Sequence, residues 1–123
     1  MSLLSGLKFF LVLLRVNSLL SLLRWAHIHA YCSNTGSMAM NVMTIGQQNI
    51  ALPDAERIIR TQFQYDLENN EVSQYLSEAL ETAYGTPIER KVGQKFLQAE
   101  WHRLAFMDKC LVTIMNREVV IEK

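Results

Sequence analysis

The sequence predicts an all-α fold: a small three-helix domain that dimerises through a long C-terminal helix and is preceded by an apolar N-terminal helix or extension. Three observations predict it. Val72, Tyr75, Leu76, Ala79, Leu80 and Ala83 recur at the spacing that gathers side chains on one face of a 3.6-residue helix, and the same stretch lacks the alternation a strand requires. Gly85-Thr86-Pro87-Ile88-Glu89 reads as the end of that helix and the start of another. From Ile88 to Met115, apolar residues then recur at helical spacing over a widening arc.

The 123 residues are enough for one domain, and half of them are apolar, ample for a core. Charge is unevenly placed. Residues 1–53 contain no Asp or Glu and carry +3 from Lys8, Arg15 and Arg24, while the remainder carries −3, so the net charge of zero joins two unlike parts. That balance speaks against a strongly basic nucleic-acid binder. The two cysteines, Cys32 and Cys110, lie far apart with no framework or zinc spacing, so two free thiols in a reducing compartment are expected.

Four segments follow in order. Residues 1–31 form a Leu-rich segment, with fourteen apolar residues between Leu3 and Leu23 interrupted by Lys8, Arg15 and Asn17. An apolar gain of about 0.5 kcal/mol per Leu is largely cancelled by an Arg cost of about 3 kcal/mol, so a membrane partner through residues 3–25 is a borderline expectation. A targeting segment, or an upstream extension ahead of a start at Met38, Met40 or Met43, explains the same stretch. His27, His29 and Cys32 present three metal-ligand types but no fourth, and read as a polar exit from the apolar run. Residues 32–52, rich in Ser, Asn, Gly, Gln and Met, read as a linker.

The helical domain spans residues 53–116, with 117–123 as a tail. Pro53 with Asp54 and Glu56 suits a first helical turn, and Ala55, Ile58, Ile59 and Phe63 continue at helical spacing. Asn69 or Asn70 caps the second helix, and Gly85 closes it in a left-handed conformation. Thr86 and Glu89 form a capping box for the third helix, with Pro87 at its first position. Within that helix Ile88, Val92, Phe96, Ala99, Phe106, Cys110 and Ile114 make one apolar stripe, and Leu97, Trp101, Leu104, Met107, Leu111 and Met115 widen it. Gly93 in its first part suggests a close crossing by another helix.

No nucleotide loop, nucleophile elbow, paired-carboxylate constellation or H-E-x-x-H is present, so neither an enzyme, a cofactor nor a metal site is expected. An apolar arc this wide exceeds what two short helices cover, which points to a homodimer or a protein partner whose identity the sequence does not supply. The expected interface residues are Phe96, Trp101, Phe106, Met107, Cys110, Leu111 and Ile114. Lys91, Lys95, His102 and Lys109 project from one side of the last helix and form the candidate contact for DNA or an acidic partner. An ordinary solvated face explains them as well, and nucleic acid is not the favoured partner.

Residues from Asp54 to Trp101 resemble the small enterobacterial biofilm-regulator family of the YmgB/AriR type. The resemblance rests on a short helix, the Asn69-Asn70 turn, a second helix with Val72, Leu76 and Leu80-Glu81-Thr82, and a third with Val92, Lys95 and Leu97. It implies a non-enzymatic, dimerising helical protein that regulates biofilm, acid-resistance and surface-structure genes through protein partners or DNA. Lys91, the longer last helix and the apolar N-terminal part depart from that pattern. The expected function is therefore a small regulatory or adaptor protein in the cytoplasm. The alternatives are a membrane-anchored accessory protein or a minor imported subunit of a larger complex.

Overall fold

The computed structural model describes residues 2–122, and the side-chain surroundings of residues 19–117. Its elements are α1 (Ser2–Gln47), α2 (Leu52–Gln62), one 3-10 turn (Asp66–Glu68), α3 (Asn70–Gly85) and α4 (Val92–Glu122). The fold is all-α, with four α-helices among the described residues rather than a three-helix domain behind an extension. The chain divides into two compact units, Met1–Ala30 and Tyr31–Lys123.

The first unit consists of the N-terminal part of α1, on which Leu19, Leu20, Leu22, Leu23 and Trp25 are exposed. Among the described residues no helix is long and apolar enough to cross a membrane. This overturns the expected membrane partner through residues 3–25 and weighs against the membrane-anchored alternative. Lys8, Arg15, Asn17 and Arg24, set among serines, break up the apolar content that about 20 spanning residues must supply.

The second unit begins much earlier than Leu52. Residues 32–47 belong to α1, where Cys32, Thr35, Gly36, Ala39, Val42, Met43, Gly46 and Gln47 are all buried at intervals of three and four. The linker expected over residues 32–52 is thus, for most of its length, a core helix. Small and polar members conceal the stripe in the sequence, yet small members are what close packing needs. A Cβ on Gly36 would lie 2.9 Å from the Arg103 carbonyl oxygen and 3.2 Å from Met107 Cβ, so α4 crosses α1 there nearly backbone to backbone. Gly46 faces Ala83 of α3, where a Cβ would be in ordinary contact at 3.6 Å. The crossing expected at Gly93 is absent, since nothing lies within 4 Å of the Cβ it would carry.

Helix α1 ends in two turn hydrogen bonds, Gln48 N–H to Ile45 O and Asn49 N–H to Gly46 O, both 3.1 Å. Asn49 takes the left-handed conformation at φ 60°, which Asn tolerates better than most side chains. Tyr84 ties the following segment to α3, its hydroxyl donating to the Ile50 carbonyl. In α2, Ala55 and Ile59 face inward, and Arg60 pairs with Glu56 on the outer side. Asn69 caps α3, its side-chain oxygen accepting the Glu71 N–H at 2.9 Å, and all six residues of the predicted α3 face are buried.

The capping box at Thr86 does not form. Thr86 is extended (φ −92°, ψ 132°) rather than Gly85 left-handed, and its hydroxyl donates back to the Thr82 carbonyl at 2.7 Å. Gln47 explains why the chain stays unwound until Val92. Its buried amide donates to the Pro87 carbonyl at 3.1 Å and accepts the Glu89 N–H at 2.8 Å, satisfying loop groups that a helix would otherwise engage. Lys95 Nζ in turn donates to the Gln47 backbone carbonyl at 2.6 Å, placing a cation at the C-terminal end of α1.

Candidate functional site

Helix α4 has two faces of different fate. Toward the core, Ala99, His102, Phe106 and Cys110 are buried at steps of three and four residues. Phe106 sits edge-on between Tyr75 and His102, with ring centroids 6.4 Å and 4.8 Å away. On the outside, Trp101 is 69% exposed, and Leu97, Leu104, Val112 and Met115 are about half exposed, while Val92 and Phe96, 82% and 68% exposed, lie at the start of the helix on the row that continues into Ala99 and Phe106. This outer apolar face is the candidate site.

The residues expected at an interface therefore separate. Trp101 lies on the outer face, Phe96 is exposed on the core-side row at the start of α4, and Met107, Leu111 and Ile114 are half-buried. Phe106 and Cys110 are core residues and are removed from the interface. Cys110 is bonded to Cys32, with Cα atoms 5.4 Å apart across 78 residues of sequence, which corrects the expectation of two free thiols. The pair was concealed because Cys32 lay in the supposed linker. The same bond removes Cys32 as a ligand beside His27 and His29, and no metal-ligand cluster occurs among the described residues. Leu97, Leu104, Val112 and Met115 belong to the outer face and were left out of the expected interface. Their signal lay in asking which of two apolar arcs faces inward, and the Ala99, Phe106 and Cys110 positions answer it.

The candidate basic stripe does not assemble. His102 is buried, with Nε2 3.2 Å from the Ala79 carbonyl, and burial pushes its pKa down from the ordinary 6.5 against the raising effect of that hydrogen bond. Lys95 is engaged by Gln47, and Lys109 pairs with Glu78 and lies over the Phe106 ring, its Nζ 5.9 Å from the centroid. Only Lys91 of the four is exposed without such an internal contact in view.

Other charges near the outer face are also committed. Arg103 Nε donates to both Glu100 oxygens at 3.0 Å and 3.1 Å, and these hydrogen bonds hold the Glu100 carboxyl below its usual range. Arg117 reaches Glu71 at the start of α3, at 2.8 Å and 3.1 Å, so the end of α4 is fastened by charge as well as by the disulfide.

A cavity between Tyr31, Thr35, Met38, Phe63 and Val72 measures 20 Å³, room for one water-sized group. Two depressions of 460 Å³ and 470 Å³, one along Pro53–Gln64 and one along Ile88–Gln94, are open to solvent and lined mainly by polar and charged side chains. Neither has the apolar enclosure of a small-molecule site. The outer face of α4, like the exposed Leu19, Leu20, Leu22, Leu23 and Trp25 of α1, is apolar surface whose chemistry calls for a partner. No family model, curated protein or solved structure matches the chain.

Proposed function

We propose that this protein is a small non-enzymatic regulatory or adaptor protein that acts by protein contact and self-associates through the outer face of α4. The observation carrying this reading is the row of large apolar side chains, Leu97, Trp101, Leu104 and Met115, exposed on a helix whose opposite side is already used by the core. A contiguous apolar surface of several hundred Å² on a folded domain marks an interaction site, because burying it is worth about 25 cal/mol for each Å². The resemblance of residues 54–101 to small biofilm and stress regulators points the same way. A DNA-binding role draws little support from a stripe in which three of four cationic positions are occupied internally.

Sedimentation velocity on the full chain tests the reading. Self-association is expected at tens of micromolar, and Leu104→Glu should weaken it at least tenfold while leaving the helical circular dichroism unchanged. A wild-type chain that remains monomeric and well folded across that range overturns the proposal.

A further inference from the structure

The outer face of α4 carries a seven-residue repeat of its own. Leu97, Leu104 and Leu111 recur every seven residues, and Trp101, Asp108 and Met115 form a second series of the same period. Together they advance by four, three, four, three and four residues, the 3.5-residue period that keeps one seam of an α-helix against another helix. Leu97, Trp101, Leu104, Asp108 and Met115 are exposed, and Leu111 is half-buried. At 100° per residue this seam lies about opposite Phe106, so occupying it requires no change in the core.

Resting on the contact reading above, we propose that the occupant is α4 of a second copy, packed antiparallel so that Leu97 lies beside Met115 of the other chain. Area is the first argument. Large apolar side chains bare over half or more of their surface offer on the order of 100 Å² each. The seam with Val112 then supplies on the order of 500 Å² per copy, or about 1,000 Å² for the pair, the size at which a specific interface begins.

Orientation follows from matching the layers. A parallel, in-register pair sets Asp108 directly against Asp108 and Trp101 against Trp101, placing two carboxylates in an apolar seam and two indoles in one narrow layer. An antiparallel pair about a two-fold axis near Phe106 matches Leu97 with Met115, Trp101 with Leu111 and Leu104 with Asp108. Every layer then contains an aliphatic side chain, and the two carboxylates are staggered by about 6 Å along the axis. A polar residue at one core position of a seam commonly sets partner orientation in this way.

Thiol crosslinking of the full chain tests orientation, with sedimentation run on the same samples. Leu97→Cys and Met115→Cys place accessible thiols at the two ends of the seam, and a short bismaleimide leaves the buried Cys32–Cys110 bond untouched. In the antiparallel pair, two copies of residue 97 are about 27 Å apart along the axis, beyond the reagent's reach. Equilibrated mixtures of the two variants should therefore give at least tenfold more crosslinked dimer than either variant alone. Self-crosslinking of a single variant as strong as the mixture would overturn the orientation while leaving the contact reading intact. A sedimentation dimer that crosslinks in no combination overturns the seam, and a sedimentation monomer overturns both the seam and the reading on which it rests.

Discussion

His102 shows how one buried titratable side chain ties the fold to pH. Its ring is enclosed by α3 and α4, with Nε2 placed to donate to the Ala79 carbonyl, and burial depresses its pKa below the ordinary 6.5. The unfolded chain accepts a proton as pH falls through about 6.5, while the folded chain resists until its lower value is reached. Stability is therefore complete above the unfolded value and declines as pH drops toward the folded one, by at most about 1.4 kcal/mol per pH unit. Urea unfolding at pH 7.5 and 5.5 should reveal this loss in the wild type and a smaller one in His102→Gln. Equal losses in the two proteins would assign the pH dependence to other groups.

At the level of helices, two glycines have opposite consequences. Gly36 lets α1 and α4 approach until a methyl group would meet the Arg103 backbone oxygen at 2.9 Å, and backbone cannot swing aside as a side-chain tip can. Gly36→Ala should destabilise by about 1–3 kcal/mol through overpacking. Gly93→Ala has open space and an ordinary helical backbone, and should stabilise by about 0.5 kcal/mol. Thermal unfolding of the two variants side by side would check both signs. The sequence alone suggested a crossing at Gly93, because a glycine within an apolar helix looks the same whichever neighbour it faces. Helix α3 was legible to the residue, since its six inward positions are conspicuously apolar and Asn69 is a strong cap. The core part of α1 was not, since Cys32, Thr35, Gly36, Gly46 and Gln47 carry little apolar signal even though all are buried. The start of α4 was misplaced because Thr86-Pro87-Ile88-Glu89 is a sound local capping signal, while the distant Gln47 amide engages that segment and Thr86 and Glu89 are taken up by Thr82 and Gln98. The outer face of α4 was half legible. The sequence showed too much apolar surface but not which arc of it the core would use.

For the whole molecule, the Cys32–Cys110 bond is the principal long-range constraint, fastening the beginning of the second unit to α4. Closing a loop of 78 residues restricts the unfolded chain by about 4.5 kcal/mol in the chain-entropy account. Reduction should lower the unfolding midpoint in urea by a corresponding amount, and the Cys32→Ala, Cys110→Ala pair should match the reduced wild type. An unchanged midpoint after complete reduction, verified by mass, would mean that packing around Met38 and Phe106 already restrains the chain as strongly. The bond has another consequence, for the integrity of the polypeptide itself. The three exposed connections, residues 48–51, 63–69 and 87–91, all lie inside the covalent ring it closes. A protease that cuts any one of them opens the ring without parting the molecule, so a nicked chain runs as one piece until a reductant releases two.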